Sequence, residues 1–225
     1  MKSKRLIVVS LDALSSIDFD MFSKLPNFKK FIRHAACCRQ VRSVYPSLTY
    51  PAHTSIVTGR TPAHHGIVNN ILLQPERSSP DWYWQRNYIR GTTLYDEVLK
   101  QGKHVAALLW PVTAKSEITW NLPEIFANRR WTNQILTSAA NGTVGYQLML
   151  NHRFGRLRDG IRQPALDNFV HASLKYTLKT YRPDLTLVHF TDLDTQRHHY
   201  GVHSEEAAAA IKRHDERIGE LMHLL

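Results

Sequence analysis

The sequence predicts an α/β fold built on a doubly wound, mostly parallel β-sheet with helices on both faces. Runs rich in Val, Ile and Leu, the composition of strands buried on both faces, alternate along the chain with segments of helical length. Polar residues directly follow several of these runs, as in open parallel sheets whose functional residues gather at the carboxyl ends of the strands. The 225 residues fit a single domain with one sizeable core.

The first part of the chain gives two predicted strands and two predicted helices. In order, these are a strand over 5–11, a helix over 26–33, a strand over 39–45 and a short helix near 49–58. Asp12 directly follows the first strand. Thr49 lies at or next to a helix N-terminus, because Pro51 suits the first helical position and Gly59 supplies a left-handed stop. Backbone N–H groups and the helix dipole favour negative charge at that end.

The rest of the chain continues the alternation after an irregular stretch over 60–90, whose length is typical of a functional surface. We then expect a helix over 92–101 closed by Gly102, a strand over 104–110, a long helix over 164–181, a strand over 185–190 and a last helix capped by Ser204. The segment 113–159 has no clear period, and its Asn141-Gly142 pair marks a turn. We expect a cap-like insertion there.

Charge and composition narrow the class of partner. The net charge of +10 favours anionic partners, but the basic residues are scattered and form no aromatic-interleaved stripe, which argues against a nucleic-acid-binding domain. No apolar run reaches the ~18 residues of a membrane span, and the first apolar run is too short for a signal peptide, so we expect a cytoplasmic protein. The adjacent Cys37 and Cys38 pair only with strain and fit a reducing compartment.

Four sets of polar residues are candidates for chemistry. They are Asp12, Thr49, the His65-Gly-Ile-Val-Asn-Asn70 block, and Asp194 with His198 four positions later. Each has a structural alternative. Asp12 suits a turn, Thr49 a helix cap, and the Asp194–His198 spacing a solvent-exposed pair on one helical turn. The residues alone leave these alternatives open.

Taken together and in order, these segments carry a family resemblance. The sequence resembles the nucleotide pyrophosphatase/phosphodiesterase branch of the alkaline phosphatase superfamily. The segments that carry the resemblance are Ile7-Val-Val-Ser-Leu-Asp12, Tyr45-Pro-Ser-Leu-Thr49-Tyr-Pro-Ala-His-Thr-Ser-Ile-Val-Thr-Gly59, His65-Gly-Ile-Val-Asn-Asn70, Trp110-Pro111 and Asp194-x3-His198-x2-Gly201. The block around Thr49 is highly specific, and it contains no Arg of the kind that a sulfatase block has.

The resemblance implies a site with two divalent metal ions, zinc first and manganese or another divalent ion as the alternative. Asp12 and Thr49 would bind one ion, and Asp194 and His198 the other. Thr49 would attack phosphorus and form a phosphothreonine, while Asn70 would hydrogen-bond a phosphoryl oxygen. The implied substrate is a small phosphate ester or nucleotide. Tyr50 and Trp110 are candidates for stacking on it, although packing in the core is the commoner role of such an aromatic residue.

The sequence also departs from the family pattern. The resemblance implies an Asp-His-Gly block and a further histidine, and neither follows His198. We therefore expect the N-terminal portion of a phosphodiesterase, lacking the C-terminal part of the fold and impaired in activity on its own. Its sheet would end in an unpaired edge that favours association. The alternatives are a non-catalytic remnant, one half of a two-chain enzyme, and a phosphomonoesterase or phosphonate hydrolase on the same scaffold.

Overall fold

The computed structural model describes residues 4–225, which form four strands and ten α-helices within that range. The strands are β1 (Leu6–Leu11), β2 (Val105–Leu108), β3 (Trp120–Leu122) and β4 (Leu185–Phe190). The helices are α1 (Phe19–Phe22), α2 (Pro26–Ile32), α3 (Thr49–Thr58), α4 (Pro62–His65), α5 (Leu94–Lys100), α6 (Gln134–Ala139), α7 (Val144–Phe154), α8 (Ala165–Thr180), α9 (Asp192–Tyr200) and α10 (Glu205–Leu224). Three 3-10 turns lie at Ser16–Asp18, Arg86–Tyr88 and Gly155–Leu157.

The chain divides into two compact units. Unit 1 comprises Met1–Val9, Ser43–Arg153 and Thr177–His189, and unit 2 comprises Ser10–Arg42, Phe154–Tyr176 and Phe190–Leu225. Among residues 4–225, no helix is long and apolar enough to cross a membrane.

Unit 1 contains most of a four-stranded sheet with the order β1-β4-β2-β3. Strand β2 pairs in parallel with both of its neighbours, so that Ala107 lies opposite Leu187 of β4 and Asn121 of β3. Every residue of β2 and β4 is buried, as expected for strands covered on both faces, and both strands are mainly apolar, although β4 also buries Thr186 and His189. The predicted α/β fold with a mostly parallel sheet is confirmed.

Two apolar clusters form the core of unit 1. The first covers the sheet and includes Val57 of α3, Tyr95 of α5 and Leu187 of β4. The second is rich in aromatic side chains and joins Tyr50 of α3 to Ile67 and Trp84 of the irregular stretch. Helix α3 therefore contributes to both clusters, and its orientation is fixed by packing rather than by helix propensity alone.

Unit 2 is helical, and α10 contacts both α9 and α2. One apolar cluster of unit 2 consists of Leu193, Ala207, Ala210 and Ile211, against which Leu25 and other apolar residues pack. The Asp215 carboxylate of α10 accepts hydrogen bonds from the backbone N–H groups of Asn27 at 3.0 Å and Phe28 at 2.7 Å, at the start of α2. Helix α10 begins as predicted, because the Ser204 hydroxyl accepts from the N–H of Ala207 at 3.1 Å.

Two strand assignments differ between sequence and structure. The strand predicted over 39–45 is wrong: this segment has no regular structure, and Val41 is 78% exposed. Its apolar residues have no sheet neighbour to pack against, and β-propensity counts only where such a neighbour exists. Strand β3 lies inside 113–159 and was not predicted, because three residues are too few to show a period. The cap-like role of 113–159 stays a prediction.

Candidate active site

Thr49 is the first residue of α3 and is partly exposed. The preceding Leu48 is extended, with φ −97° and ψ 159°, and its side chain makes no capping hydrogen bond. At the other end Gly59 has φ +64°, the left-handed conformation that stops the helix. The structure therefore has the nucleophile candidate at the helix N-terminus that the sequence indicated, although Pro51 is the third helical residue rather than the first.

Asn70 reaches the first turn of the same helix. Its side-chain Oδ1 accepts a hydrogen bond from the backbone N–H of Tyr50 at 2.9 Å. The amide oxygen must face this N–H, so Nδ2 is the end of the amide that can donate to a ligand. Asn70 thus caps the helix in place of Leu48 and lies beside the residue next to Thr49. The sequence indicated Asn70 only through the family motif, since a cap that comes from twenty residues away leaves no local pattern.

A buried histidine pair underlies Thr49, and the sequence did not indicate it. His53 and Thr49 are joined by a 2.7 Å hydrogen bond between the ring Nδ1 and the carbonyl oxygen. The His53 ring lies 4.4 Å from that of His189 between centroids. The His189 Nδ1 lies 3.3 Å from Glu124 Oε2 and 3.2 Å from the carbonyl oxygen of Leu109. These contacts give the first turn of α3 polar support from within unit 1.

Tyr50 and Trp110 are both completely buried. Tyr50 packs edge-on against Trp82 with a centroid distance of 5.4 Å, and Trp110 packs against His53 at 4.9 Å. Burial, followed by the neighbouring Glu124 carboxylate, raises the pKa of the Tyr50 hydroxyl well above its ordinary value. Neither ring offers a face to solvent, which favours packing over stacking on a ligand; their role toward a substrate stays a prediction.

Three of the four predicted metal ligands, Asp12, Asp194 and His198, lie in unit 2, whereas the fourth, Thr49, lies in unit 1. Asp12 follows β1, and its Oδ1 accepts the N–H of Ala13 at 3.0 Å. Asp194 and His198 share one face of α9, with Asp194 Oδ1 and His198 Nε2 3.4 Å apart. Two ligands of one tetrahedral zinc ion, each at about 2.0–2.1 Å from it, are separated by about 3.3 Å. The donor atoms and their separation therefore fit zinc, and they also fit the solvent-exposed ion pair that the spacing alone allowed.

A buried charge network holds the start of α9. The Asp192 carboxylate accepts from Arg213 at 2.7 and 2.9 Å and from Arg217 at 3.3 Å. Asp167 accepts the backbone N–H of Asp192 at 3.1 Å. Burial acts to raise the pKa of the Asp192 carboxyl, but Arg213 and Arg217 outweigh it and hold the pKa below its ordinary value. Asp192 therefore anchors the helix that carries Asp194. The four-residue spacing of the two arginines was the only sequence signal for this network.

The sequence-predicted residues divide between the two units. Thr49, Tyr50, Asn70 and Trp110 belong to unit 1, and Asp12, Asp194 and His198 belong to unit 2. Among residues 4–225, no three or more His, Cys, Asp or Glu side chains are arranged to hold a metal ion. The Asp194–His198 pair alone therefore falls short of the ligand set that was predicted for a metal ion.

Comparisons of the sequence with family models and with known proteins agree on one family. The family model described as type I phosphodiesterase/nucleotide pyrophosphatase matches residues 6–225. Human ectonucleotide pyrophosphatase/phosphodiesterase family member 1 is 26% identical over 209 residues, 88% of this chain and 19% of that protein. The venom phosphodiesterase of Macrovipera lebetinus is 25% identical over 229 residues, 96% of this chain and 23% of that protein. The chain spans about a fifth of the length of these relatives.

Solved structures show the same fold. An inactive variant of murine ectonucleotide pyrophosphatase/phosphodiesterase 5, in complex with AMP, superposes with a TM-score of 0.65 at 19% identity, covering 99% of this chain and 52% of that one. Phosphonoacetate hydrolase from Sinorhizobium meliloti 1021, in complex with phosphonoacetate, gives 0.69 at 23% identity, covering 99% and 54%. At these identities the likeness shows the α/β fold and no more.

Proposed function

Because the chain belongs to the type I phosphodiesterase/nucleotide pyrophosphatase family, we propose that it hydrolyses a phosphodiester or pyrophosphate bond through a phosphothreonine at Thr49. The substrate would be a small phosphate ester or a nucleotide, in keeping with the AMP bound to the murine relative and with the net charge of +10. The observation that carries the proposal is the placement of Thr49 as the first residue of α3, with the Asn70 amide bonded to the next backbone N–H.

The reaction would proceed in two displacements. The Thr49 hydroxyl gives up its proton to solvent as its oxygen forms a bond to phosphorus. The bond from phosphorus to the leaving oxygen breaks, and that oxygen departs with the electron pair and takes up a proton from solvent. Water then cleaves the phosphothreonine and restores the hydroxyl. The positive end of α3 and the Nδ2 group of Asn70 stabilise the negative phosphoryl oxygens, and a fixed donor of this kind contributes about 10²–10³ in rate.

Asp12 and Thr49 would hold one divalent ion, and Asp194 and His198 a second, with zinc as the first choice and manganese as the alternative. When bound, such ions lower the pKa of a coordinated hydroxyl and neutralise charge on the reacting oxygens. An Asp-His-Gly block does not occur in the 225 residues. Since two protein ligands hold zinc weakly, we propose that these residues alone bind metal weakly and turn over slowly.

The test compares hydrolysis of bis(p-nitrophenyl) phosphate by the wild-type chain, Thr49→Ala and a matched control, Thr58→Ala, each with added Zn²⁺ or Mn²⁺. Thr58 lies at the opposite end of α3, where its hydroxyl donates to the Thr54 carbonyl at 2.7 Å. We expect turnover to vanish in Thr49→Ala and to persist in Thr58→Ala. Mass spectrometry of the acid-quenched wild type should locate one phosphoryl group on the peptide that contains Thr49.

The other readings give different outcomes. Equal turnover by Thr49→Ala and the wild type would refute the nucleophile assignment. A wild type without turnover in any metal would instead support a non-catalytic remnant or one half of a two-chain enzyme. Higher rates on p-nitrophenyl phosphate or on phosphonoacetate than on the diester would reassign the substrate class to monoesters or phosphonates.

A further inference from the structure

His65 connects helix α3 to the loop that carries Asn70. The ring is completely buried at the last residue of α4. Its Nδ1 accepts the backbone N–H of Ile67 at 3.1 Å, and its Nε2 lies 2.9 Å from the Ser55 hydroxyl on α3. Because Nδ1 accepts, the ring is neutral and carries its proton on Nε2, which donates to Ser55. One side chain thus holds the helix with one nitrogen and the loop with the other.

The loop from Gly66 to Asn70 is held at further points. Gly66 turns the chain with φ +83°, and the next residue, Ile67, is completely buried in the aromatic cluster with Tyr50. At the far end, the Asn70 side chain accepts the Tyr50 N–H. The Asn70 backbone carbonyl also accepts from the N–H of Tyr83 at 2.9 Å. The loop is therefore tied to α3 at both of its ends, by His65 and by Asn70.

We propose that His65 is a positioning residue that sets the height of the Asn70 loop on α3, and thereby the direction of the Asn70 amide at the N-terminus of that helix. This inference rests on the proposed function, in which Asn70 meets the phosphoryl group. Without the Nδ1 acceptor, the Ile67 N–H is buried and unpaired, and the loop must shift to satisfy it. The shift is transmitted to Asn70 within three residues. Burial lowers the pKa of His65, although the Pro51 carbonyl acts to raise it. The lowered pKa keeps the ring neutral near pH 7.

Two substitutions of similar size separate the two contacts of His65. His65→Asn keeps a group near the Nδ1 position, so it can still accept the Ile67 N–H. His65→Gln keeps a donor near the Nε2 position for Ser55 and loses the Ile67 acceptor. If His65 acts only as a core filler, the two variants behave alike. If it positions the loop, only His65→Gln releases Asn70.

The readout is amide hydrogen exchange at Tyr50, measured by NMR without any catalysis. The Tyr50 N–H donates to Asn70, whereas the N–H of Ala52 donates to the Leu48 carbonyl at 3.0 Å and so reports on α3 alone. In His65→Gln we expect Tyr50 exchange to accelerate about 10-fold relative to Ala52, a graded effect because Tyr83 still holds Asn70. In His65→Asn we expect the ratio to stay within about 3-fold of the wild type.

Equal rates in His65→Gln and the wild type would overturn the proposal, as would equal acceleration at Tyr50 and Ala52, which signals general loosening of α3. Should His65→Gln not fold, His65→Leu also lacks an acceptor for the Ile67 N–H and must accelerate Tyr50 exchange relative to Ala52. Where the wild type turns over, kcat in His65→Gln should fall about 10-fold with little change in KM. A wild type without turnover defeats the proposed function, while the exchange data still decide the role of His65.

Discussion

Asn70 has a structural role as a helix cap and a proposed chemical role, and two substitutions should separate them. Its Oδ1 caps the Tyr50 N–H at 2.9 Å, and its Nδ2 is the proposed phosphoryl donor. Asn70→Ala removes both. Loss of a helix cap costs about 1 kcal/mol of unfolding free energy, which lowers the Tm of a 225-residue protein by about 2–4 °C. Loss of one preorganised donor to the reacting group lowers kcat by about 10²–10³.

Asn70→Asp keeps the shape and the capping oxygen but replaces the donor with a second carboxylate oxygen. A negative charge at a helix N-terminus stabilises by about 0.3–1 kcal/mol, so the Tm should equal or exceed that of the wild type. The same charge repels the phosphoryl group, so turnover should fall by at least about 10². Thermal unfolding gives the Tm, and diester hydrolysis gives the turnover, of the three proteins. Wild-type turnover by Asn70→Asp, or a loss of stability as large as in Asn70→Ala, would refute the reasoning.

Three further outcomes are expected. His198→Ala should weaken Zn²⁺ binding by at least about 10-fold when affinity is measured by calorimetry, whereas the control His199→Ala should not. Equal effects of the two substitutions would exclude His198 as a ligand. Burial, followed by the Arg217 charge, lowers the pKa of His214 to about 3, so below pH 6.5 the unfolded state binds a proton that the folded state does not. His214 therefore removes up to about 1.4 kcal/mol of unfolding free energy for each pH unit as the pH falls. In urea titrations, the unfolding free energy of His214→Leu should depend less on pH than that of the wild type. In the sheet, Leu187→Ala should lower the unfolding free energy by about 2–5 kcal/mol. The control Leu73→Ala, at a site 93% exposed, should change it little. Similar losses in the two variants would place Leu187 outside the core.

The parts of the fold that the sequence predicted are those with a strong local cause. Strand β4 was predicted at its observed bounds of 185–190, because it is buried throughout and flanked by polar residues. Helix α10 was predicted from the Ser204 cap and its acidic first turn. The strand expected over 39–45 failed because strand formation depends on a neighbour that the local sequence does not encode. Strand β3 exists only because β2 lies beside it.

The candidate site shows the same division. The position of Thr49 at the N-terminus of α3 followed from local signals. The observed helix stops at Gly59 as predicted, but it begins two residues before Pro51. The motif indicated Asn70, but nothing local revealed that it caps α3 or that His65 holds its loop, since these contacts join residues ten to twenty positions apart. The Asp192–Arg213 link spans 21 positions and was missed for the same reason. Contacts of this kind can be identified only from the tertiary structure.

The apolar side chain of Leu48 at the N-cap position of α3 explains why Asn70 is needed as a cap. A leucine at the N-cap position of α3 has no side-chain acceptor, and Pro51 has no N–H, so the Tyr50 N–H needs an acceptor from elsewhere in the chain. A Ser or Asp at position 48 would cap the helix locally and compete with Asn70 for its first-turn N–H groups. The apolar N-cap therefore makes the capping of α3 depend on the loop that carries the proposed phosphoryl donor. The capping of α3 and the orientation of the proposed donor therefore depend on the same hydrogen bond.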